Sequence, residues 1–467
     1  MAAKFHLWDP WKSAQSEPGR IAVASDGGDR IDYARLVRDA DRIGSALTAL
    51  ALPDGARIST DLRAGPEMFA LALAALKFGF GLFPVNQAFL RDGAGYGSSL
   101  CRQAKTILHV GDGPSPIEGP QVDYRELVAW QRETAPDAPR AGFLIFATSG
   151  TTSGEHTVIA QPRPRHPYQG VGVFARYSAG RAFGPHIMGN PTFHLGTLGP
   201  ALYAVQAGSG AVVAHDWSAE RMNELIREHA AASAFLSVDR LTDYVLSADQ
   251  RSGLTSLFHG GSSCPPWVKR RAIEIHGPVL HEYYGTSEGV VTEISSTDWL
   301  THPGSVGRPV SGMEVVVRQD EEPLAANTAG EIYVRSLLPD RKMKEPLRTG
   351  DLGYLDPDGY LHVLGRISAS SGTVEAVAEH RARSVAGVRD VVAVADSGVT
   401  CLVEAPEDES AALFRSVRAA IEDGGGPPCD VVIFPPGTLT RTETGKLSRV
   451  AARRLVAQRR GFADATV

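Results

Sequence analysis

Phe143-Leu-Ile-Phe-Ala147, followed at once by Thr148-Ser-Gly-Thr-Thr-Ser-Gly154, decides how this chain reads. The five apolar residues have the make-up of a buried strand. The seven that follow are all hydroxyl or glycine residues. Glycine lets the backbone turn its N–H groups toward an anion, and each serine or threonine adds a hydroxyl donor. Such a loop after a buried strand suits a phosphate. On its own, the same composition also describes a flexible surface loop.

Three further segments follow in order. His281-Glu-Tyr-Tyr-Gly-Thr-Ser-Glu288 comes first, then Arg348-Thr-Gly-Asp351 running on to Asp358-Gly359 and Gly365-Arg366, and last Thr440-Arg-Thr-Glu-Thr-Gly-Lys446. In this order the four segments resemble the adenylate-forming superfamily: acyl-CoA synthetases, luciferases and peptide-synthetase adenylation domains. Phe258 to Gly289 is most similar to its fatty-acid or acyl-CoA ligase branch. The resemblance spans nearly the whole chain and implies an α/β fold: a large N-terminal domain, 1–366, of mixed β-sheets with flanking helices, and a small mobile α+β C-terminal domain, 367–467, carrying a catalytic lysine.

Composition sets the outer limits. The chain has 467 residues, enough for two or three domains, and is 43% hydrophobic and 21% charged. A net charge of −6 speaks against nucleic acid or an anionic membrane as partner. No apolar run is long enough to span a bilayer, and Met1-Ala-Ala-Lys-Phe-His-Leu-Trp lacks the apolar core of a signal peptide. Cys101, Cys264, Cys401 and Cys429 are scattered without metal-ligand spacing. A soluble cytoplasmic protein is expected.

Periodicity supplies the organisation. Helices are expected at Tyr33 to Ala51, Glu67 to Phe80 and Ala219 to Ala231, and buried strands at Ala234 to Ser237 and Ser256 to Gly261. Gly312 to Arg335 reads as hairpin material, and Asp356-Pro-Asp-Gly359 as a turn between two short strands. His186 to Asp216 alternates apolar runs with glycines. The proline-rich stretch Gln161 to Tyr168 reads as a loop. Beyond Arg366 the expected order is helix, strand, strand, helix, and the basic stretch Arg449 to Arg460 reads as a solvated helix face.

The resemblance assigns the chemistry. Expected ligands are ATP and Mg²⁺. Thr148, Ser149, Gly150, Thr151 and Thr152 would hold the β- and γ-phosphates. Thr286 would meet the α-phosphate, Tyr284 could pack on adenine, and Tyr283 and Gly285 belong to the same segment. Glu288 would bind Mg²⁺, since a hard cation prefers carboxylate oxygen. Asp351 fits a ribose clamp and Arg366 a place beside ribose and phosphates. Gly260, Gly261 and Ser262 would line the nucleotide and acyl pocket. His194, in Pro191-Thr-Phe-His-Leu-Gly196, would lie near the acceptor carboxylate. Lys446 would close onto the α-phosphate in the transition state.

Two departures stand out. Where the family commonly has Pro-Lys-Gly after its phosphate loop, this chain has Glu155-His-Thr157. After Arg366, Ile367-Ser-Ala-Ser-Ser-Gly-Thr-Val-Glu375 is shorter than in the family and lacks its usual aspartate and lysine. Relatives use that loop for thioester formation, so its shortening counts against CoA transfer. Three readings follow: a ligase activating a small carboxylic acid, a diazotase activating nitrite for an aromatic amine, and a catalytically silent nucleotide-binding relative. Retention of Glu288, Asp351, Arg366 and Lys446 weighs against the third.

Overall fold

Phe143–Ala147 is a strand in a six-stranded sheet of order Gln121–Asp123, Leu108–Gly111, Arg57–Thr60, Gly81–Pro84, Phe143–Ala147, Val158–Ala160. The first five run parallel, and Val158–Ala160 returns antiparallel. This is the setting its unbroken apolar run calls for. The computed structural model describes residues 9–90, 95–132, 141–148, 156–161, 163, 184–189, 193–248, 251–286, 289–320, 322–337, 345–368, 370–396, 398–406, 410–423, 425–442 and 445–464. Contacts divide the chain into two units, Met1–Thr148 with His156–Phe235 and Ser252–Leu257, and Ser149–Glu155 with Leu236–Arg251 and Phe258–Val467.

In the first unit, helix Tyr33–Ala49 starts at Asp32, whose carboxylate accepts the Arg35 N–H at 2.7 Å. Pro66–Phe78 begins with proline and stops at left-handed Gly79. Almost every side chain of this helix is buried, and Gly142 crosses it closely. A Cβ at Gly142 would lie 2.2 Å from the Ala75 carbonyl oxygen, so no larger residue fits. A second set of strands has the order Ser233–Leu236, His186–Met188, Ala211–Val213, Ile21–Ser25, Arg30–Asp32. Between His186 and Asp216 lies a helix, Leu195–Gln206, that glycines and Pro200 had hidden from the periodicity.

The second unit contains the antiparallel pair Leu280–Thr286 and Gly289–Ser295. It also contains a five-stranded antiparallel sheet of order Glu322–Pro323, Met313–Gln319, Gly330–Ser336, Leu347–Leu355, Leu361–Arg366. Alternation along these strands buries Val315, Val317, Ile332, Val334 and Leu361 together. Beyond Arg366 come Val374–Arg383, Asp390–Ala395, Val399–Glu404, Ser410–Glu422, Cys429–Phe434 and Arg449–Asp464. The expected order was one strand and one helix short: Cys429–Phe434 pairs parallel with Val399–Glu404, and Arg449–Asp464 follows it. Nor is the last helix simply a solvated face. Arg449 reaches Glu375 at 3.2 Å and Glu379 at 2.7 Å, and both carboxylates are buried. The fold is thus mixed α/β with several sheets. Among the described residues, no helix is long and apolar enough to cross a membrane.

The second unit also buries an ion pair, Lys269 with Glu282, each side chain 5% exposed, and the Lys269 ammonium lies 5.3 Å from the centre of the Trp299 ring. Removing one partner strands a charge in the interior. Lys269→Met is expected to lower stability by about 3–5 kcal/mol, whereas Lys269→Met with Glu282→Leu recovers most of that loss. Chemical denaturation checks both, and equal stability of the single and double variants would contradict the assignment.

Candidate active site

Strand Leu347–Leu355 carries Asp351, its antiparallel neighbour Leu361–Arg366 carries Arg366, and the register sets the two opposite each other. The turn between the strands fixes the register of Gly353 to Leu355, and a one-residue shift between Leu352 and Gly353 then brings Asp351 opposite Arg366. The Asp356 carboxylate accepts the N–H groups of Asp358 at 3.0 Å and Tyr360 at 2.9 Å, and Gly359 takes φ +80. Arg366 Nη1 donates to Asp351 Oδ1 at 2.9 Å and to the Thr349 carbonyl at 2.7 Å. From strand Leu280–Thr286, the Tyr284 hydroxyl donates to Asp351 Oδ2 at 2.7 Å. Thr349 Oγ1 accepts the Asp351 N–H at 3.1 Å and donates to the Ile332 carbonyl at 2.8 Å, steadying the backbone beneath. Each Asp351 oxygen still has acceptor capacity left.

Charge follows from this arrangement. Burial works against the Arg366 guanidinium, but the Asp351 charge and hydrogen bond carry it above its ordinary value. Burial also raises the Tyr284 phenol, and the Asp351 carboxylate raises it further, so it remains a donor.

Lys446 lies within electrostatic reach of this pair. Burial pulls its pKa down to about 8, with Asp351 opposing the drop and Arg366 adding to it. The lysine sits at the end of a tight turn in which the Thr442 N–H donates to the Lys446 carbonyl at 2.7 Å and the Gly445 N–H to the Thr442 carbonyl at 3.0 Å. Gly445 has φ +81, and a Cβ there would lie 2.5 Å from the Asp239 carboxylate.

Other expected residues lie as follows. Thr286 pairs with Gly289 where the two strands of the hairpin meet, and Tyr283 and Gly285 precede it on the same strand. Gly260 does not leave room for a ligand: a Cβ there would meet the Tyr283 ring at 2.9 Å, so its bareness serves strand packing. Gly261, with φ +84, has open space where a side chain would go, and Ser262 is exposed. In the first unit, Thr148 joins the strand ends. Its N–H donates to the Thr157 carbonyl, and its hydroxyl accepts the Thr157 N–H, both at 2.8 Å. His194 is the N-cap residue of Leu195–Gln206 and is half-buried. His156, at the position of the absent lysine, shares a 2.6 Å hydrogen bond with the Tyr96 hydroxyl. Ser149, Gly150, Thr151, Thr152 and Glu288 lie outside the described residues, as does most of the Gln161 to Tyr168 stretch.

Two partners were not anticipated from sequence. The Tyr284 hydroxyl serves Asp351, a contact across 67 positions that no local pattern signals. Arg441 lies in the Thr440 to Lys446 motif, where the resemblance assigns it no role, yet it donates to the Gly445 carbonyl at 2.8 Å.

A family model described as AMP-binding enzyme matches residues 10–338. The chain is 27% identical to triostin synthetase I of Streptomyces triostinicus, over 76% of this chain and 74% of that protein. It is 24% identical to the long-chain-fatty-acid–CoA ligase FadD13 of Mycobacterium tuberculosis, over 78% and 80% respectively. In fold it is similar to the O-succinylbenzoate coenzyme A synthetase of Bacillus subtilis, solved in complex with ATP and magnesium ion. The TM-score is 0.75 over 94% of this chain and 98% of that one, at 20% identity.

The depressed lysine makes a prediction about stability. The folded pKa of Lys446, about 8, lies below its ordinary 10.5, so between these values the unfolded chain binds the proton more and stability rises with pH. Below that window the buried ammonium burdens the fold in full. Lys446→Met is expected to be more stable than the parent at pH 7 by roughly 1–3 kcal/mol, after allowance for screening. The gain should fade as pH rises through the window. Unfolding midpoints measured against pH check this, and a less stable variant at pH 7 contradicts it.

Proposed function

The chain belongs to the AMP-binding enzyme family, and from that premise we propose an ATP-dependent ligase that activates a small carboxylic acid as an acyl-adenylate, releasing pyrophosphate. The observation that carries this reading is the gathering of Tyr284, Asp351, Arg366 and Lys446 from distant parts of the chain.

In this reading Asp351 accepts from the ribose hydroxyls on the lone pairs that Tyr284 and Arg366 leave free. The Tyr284 face packs on adenine, and Gly261 admits the nucleotide. Thr148, Ser149, Gly150, Thr151 and Thr152 hold the β- and γ-phosphates, and Thr286 meets the α-phosphate. Glu288 supplies the carboxylate for Mg²⁺. One or two carboxylates plus substrate phosphates suffice for that ion. His194 faces the acid.

The acid's carboxylate oxygen attacks the α-phosphorus, the bond to the bridging oxygen breaks, and pyrophosphate leaves with the electron pair. Lys446 offsets the negative charge that gathers during this exchange. Residues 367–467 turn about Arg366–Ser368 as a small mobile domain, and closure keeps water from the mixed anhydride.

One observation favours a second reading, in which nitrite replaces the carboxylate and an aromatic amine attacks the activated nitrogen. The Ser368 N–H donates to the Gly372 carbonyl at 2.8 Å and the Gly372 N–H to the Ser368 carbonyl at 2.9 Å, closing the segment after Arg366 into a small loop. An enzyme of that kind has no thioester step and no use for a longer loop.

The test is AMP release from ATP and Mg²⁺ with a panel of carboxylic acids, or with nitrite plus aryl amines, each with and without CoA. Carboxylate-dependent release supports the ligase, and release requiring both nitrite and amine, indifferent to CoA, supports the second reading. No AMP under any condition, with ATP bound, overturns both. Lys446→Ala should slow adenylate formation by about 10²–10³-fold while ATP affinity stays within about threefold. Turnover at the parent rate would refute the role of the lysine.

A further inference from the structure

Asp390 and Glu404 are direct cross-strand partners in the pair Asp390–Ala395 and Val399–Glu404. Like charges so placed repel, and Glu404 is only 1% exposed. Arg441 resolves the conflict. Its Nη1 donates to Asp390 Oδ2 at 2.9 Å, and its Nη2 pairs with Glu404. Glu404 also accepts the Leu439 N–H at 2.9 Å, so the chain entering the lysine turn is tied to the same carboxylate. Nη1 of Arg441 also bonds the Gly445 carbonyl at 2.8 Å, and Arg441 and Leu447 form a bridge on either side of Lys446.

We propose that Arg441 is the positioning residue for Lys446, anchoring the turn on two opposed carboxylates so that the ammonium is presented at one place. The role in turnover rests on the reading of Lys446 given above. The positioning itself does not. A planar guanidinium can satisfy three acceptors in fixed directions, which an ammonium on a flexible stem does not reproduce. The turn has little freedom on its other side, because Gly445 packs against Asp239 too closely for a Cβ. The charged and titratable groups facing Lys446 are Asp351 and Arg366, with Tyr284 bonded to Asp351 and Asp239 against the neighbouring glycine.

Arg449 provides the comparison. It belongs to the same part of the chain and is equally rich in ion pairs, to Glu375 and Glu379, and its backbone bond goes to the Ala393 carbonyl rather than the lysine turn. The experiment measures acylation of Lys446 by acetic anhydride against pH, read by peptide mass spectrometry on the full chain without substrate. It also measures kcat and KM for AMP formation. The parent should show a labelling midpoint near pH 8. In Arg441→Met a loosened turn solvates the ammonium, so the midpoint should rise by about one unit or more. kcat should fall about 10–100-fold with KM for ATP within about threefold. Arg441→Lys should recover part of both, and gives the same readout if Arg441→Met fails to fold. Arg449→Met should lower the unfolding midpoint while leaving the labelling profile and kcat per folded enzyme unchanged.

A parent-like profile and kcat in Arg441→Met overturns the proposal. So does an Arg449→Met profile shifted as far as that of Arg441→Met, which would mean general loosening. Labelling needs no turnover, so the two ideas fail separately. A shifted Arg441→Met profile in a chain that releases no AMP retains the positioning and removes the ligase reading. Normal turnover with an unmoved profile does the reverse.

Discussion

Asp351 is held between a phenol and a guanidinium, and the chemistry proposed for this chain depends on keeping that carboxylate aimed. Tyr284 takes one oxygen and Arg366 the other, while Thr349 steadies the backbone from below. Asp351 and Arg366 must be in register on neighbouring strands of the five-stranded sheet, and Tyr284 reaches them from the separate pair Leu280–Thr286 and Gly289–Ser295. The apolar alternation of the five-stranded sheet, the Asp356 turn and the register shift between Leu352 and Gly353 set that pairing. A one-residue slip in Leu347–Leu355 would send Asp351 to the opposite face. The core of that sheet and the Asp351–Arg366 pair are therefore specified by the same strand pairing.

Lys446 adds the opposite tendency. An ammonium withdrawn from water is held below its ordinary pKa, and the nearby Arg366 makes this worse. Such a placement is hard to explain as a contribution to stability. It makes sense if the cation is needed where negative charge develops, since a preorganised charge in a partly dry setting acts more strongly than one in water. Arg441 and its two carboxylates complete this picture, because a half-buried lysine on an unrestrained turn would relax toward solvent.

Much of this was legible in the sequence. Phe143–Ala147 is the buried strand its composition indicates, and Asp356-Pro-Asp-Gly359 forms its turn. The order of the four motifs pointed to Asp351, Arg366 and Lys446, which the second unit brings within reach of one another. What escaped was non-local or irregular. Leu195–Gln206 carries glycines and a proline inside a helix, which blurs the period. Cys429–Phe434 draws its support from a parallel neighbour distant in sequence. Arg449 looked solvated because a basic run gives no sign of buried carboxylates contributed by another helix. Gly260 illustrates the ambiguity of glycine: the residue that would make room for a ligand makes room for Tyr283 instead.

The central claim is that this constellation exchanges a pyrophosphate for an acyl oxygen at the α-phosphorus. Isotope exchange between labelled pyrophosphate and ATP, in the presence of an activated acid, tests it most directly because the reaction must run backward through the same site. Acid-dependent appearance of label in ATP is the predicted result. Release of ADP and orthophosphate with no exchange would place bond cleavage at a different phosphorus and contradict the account.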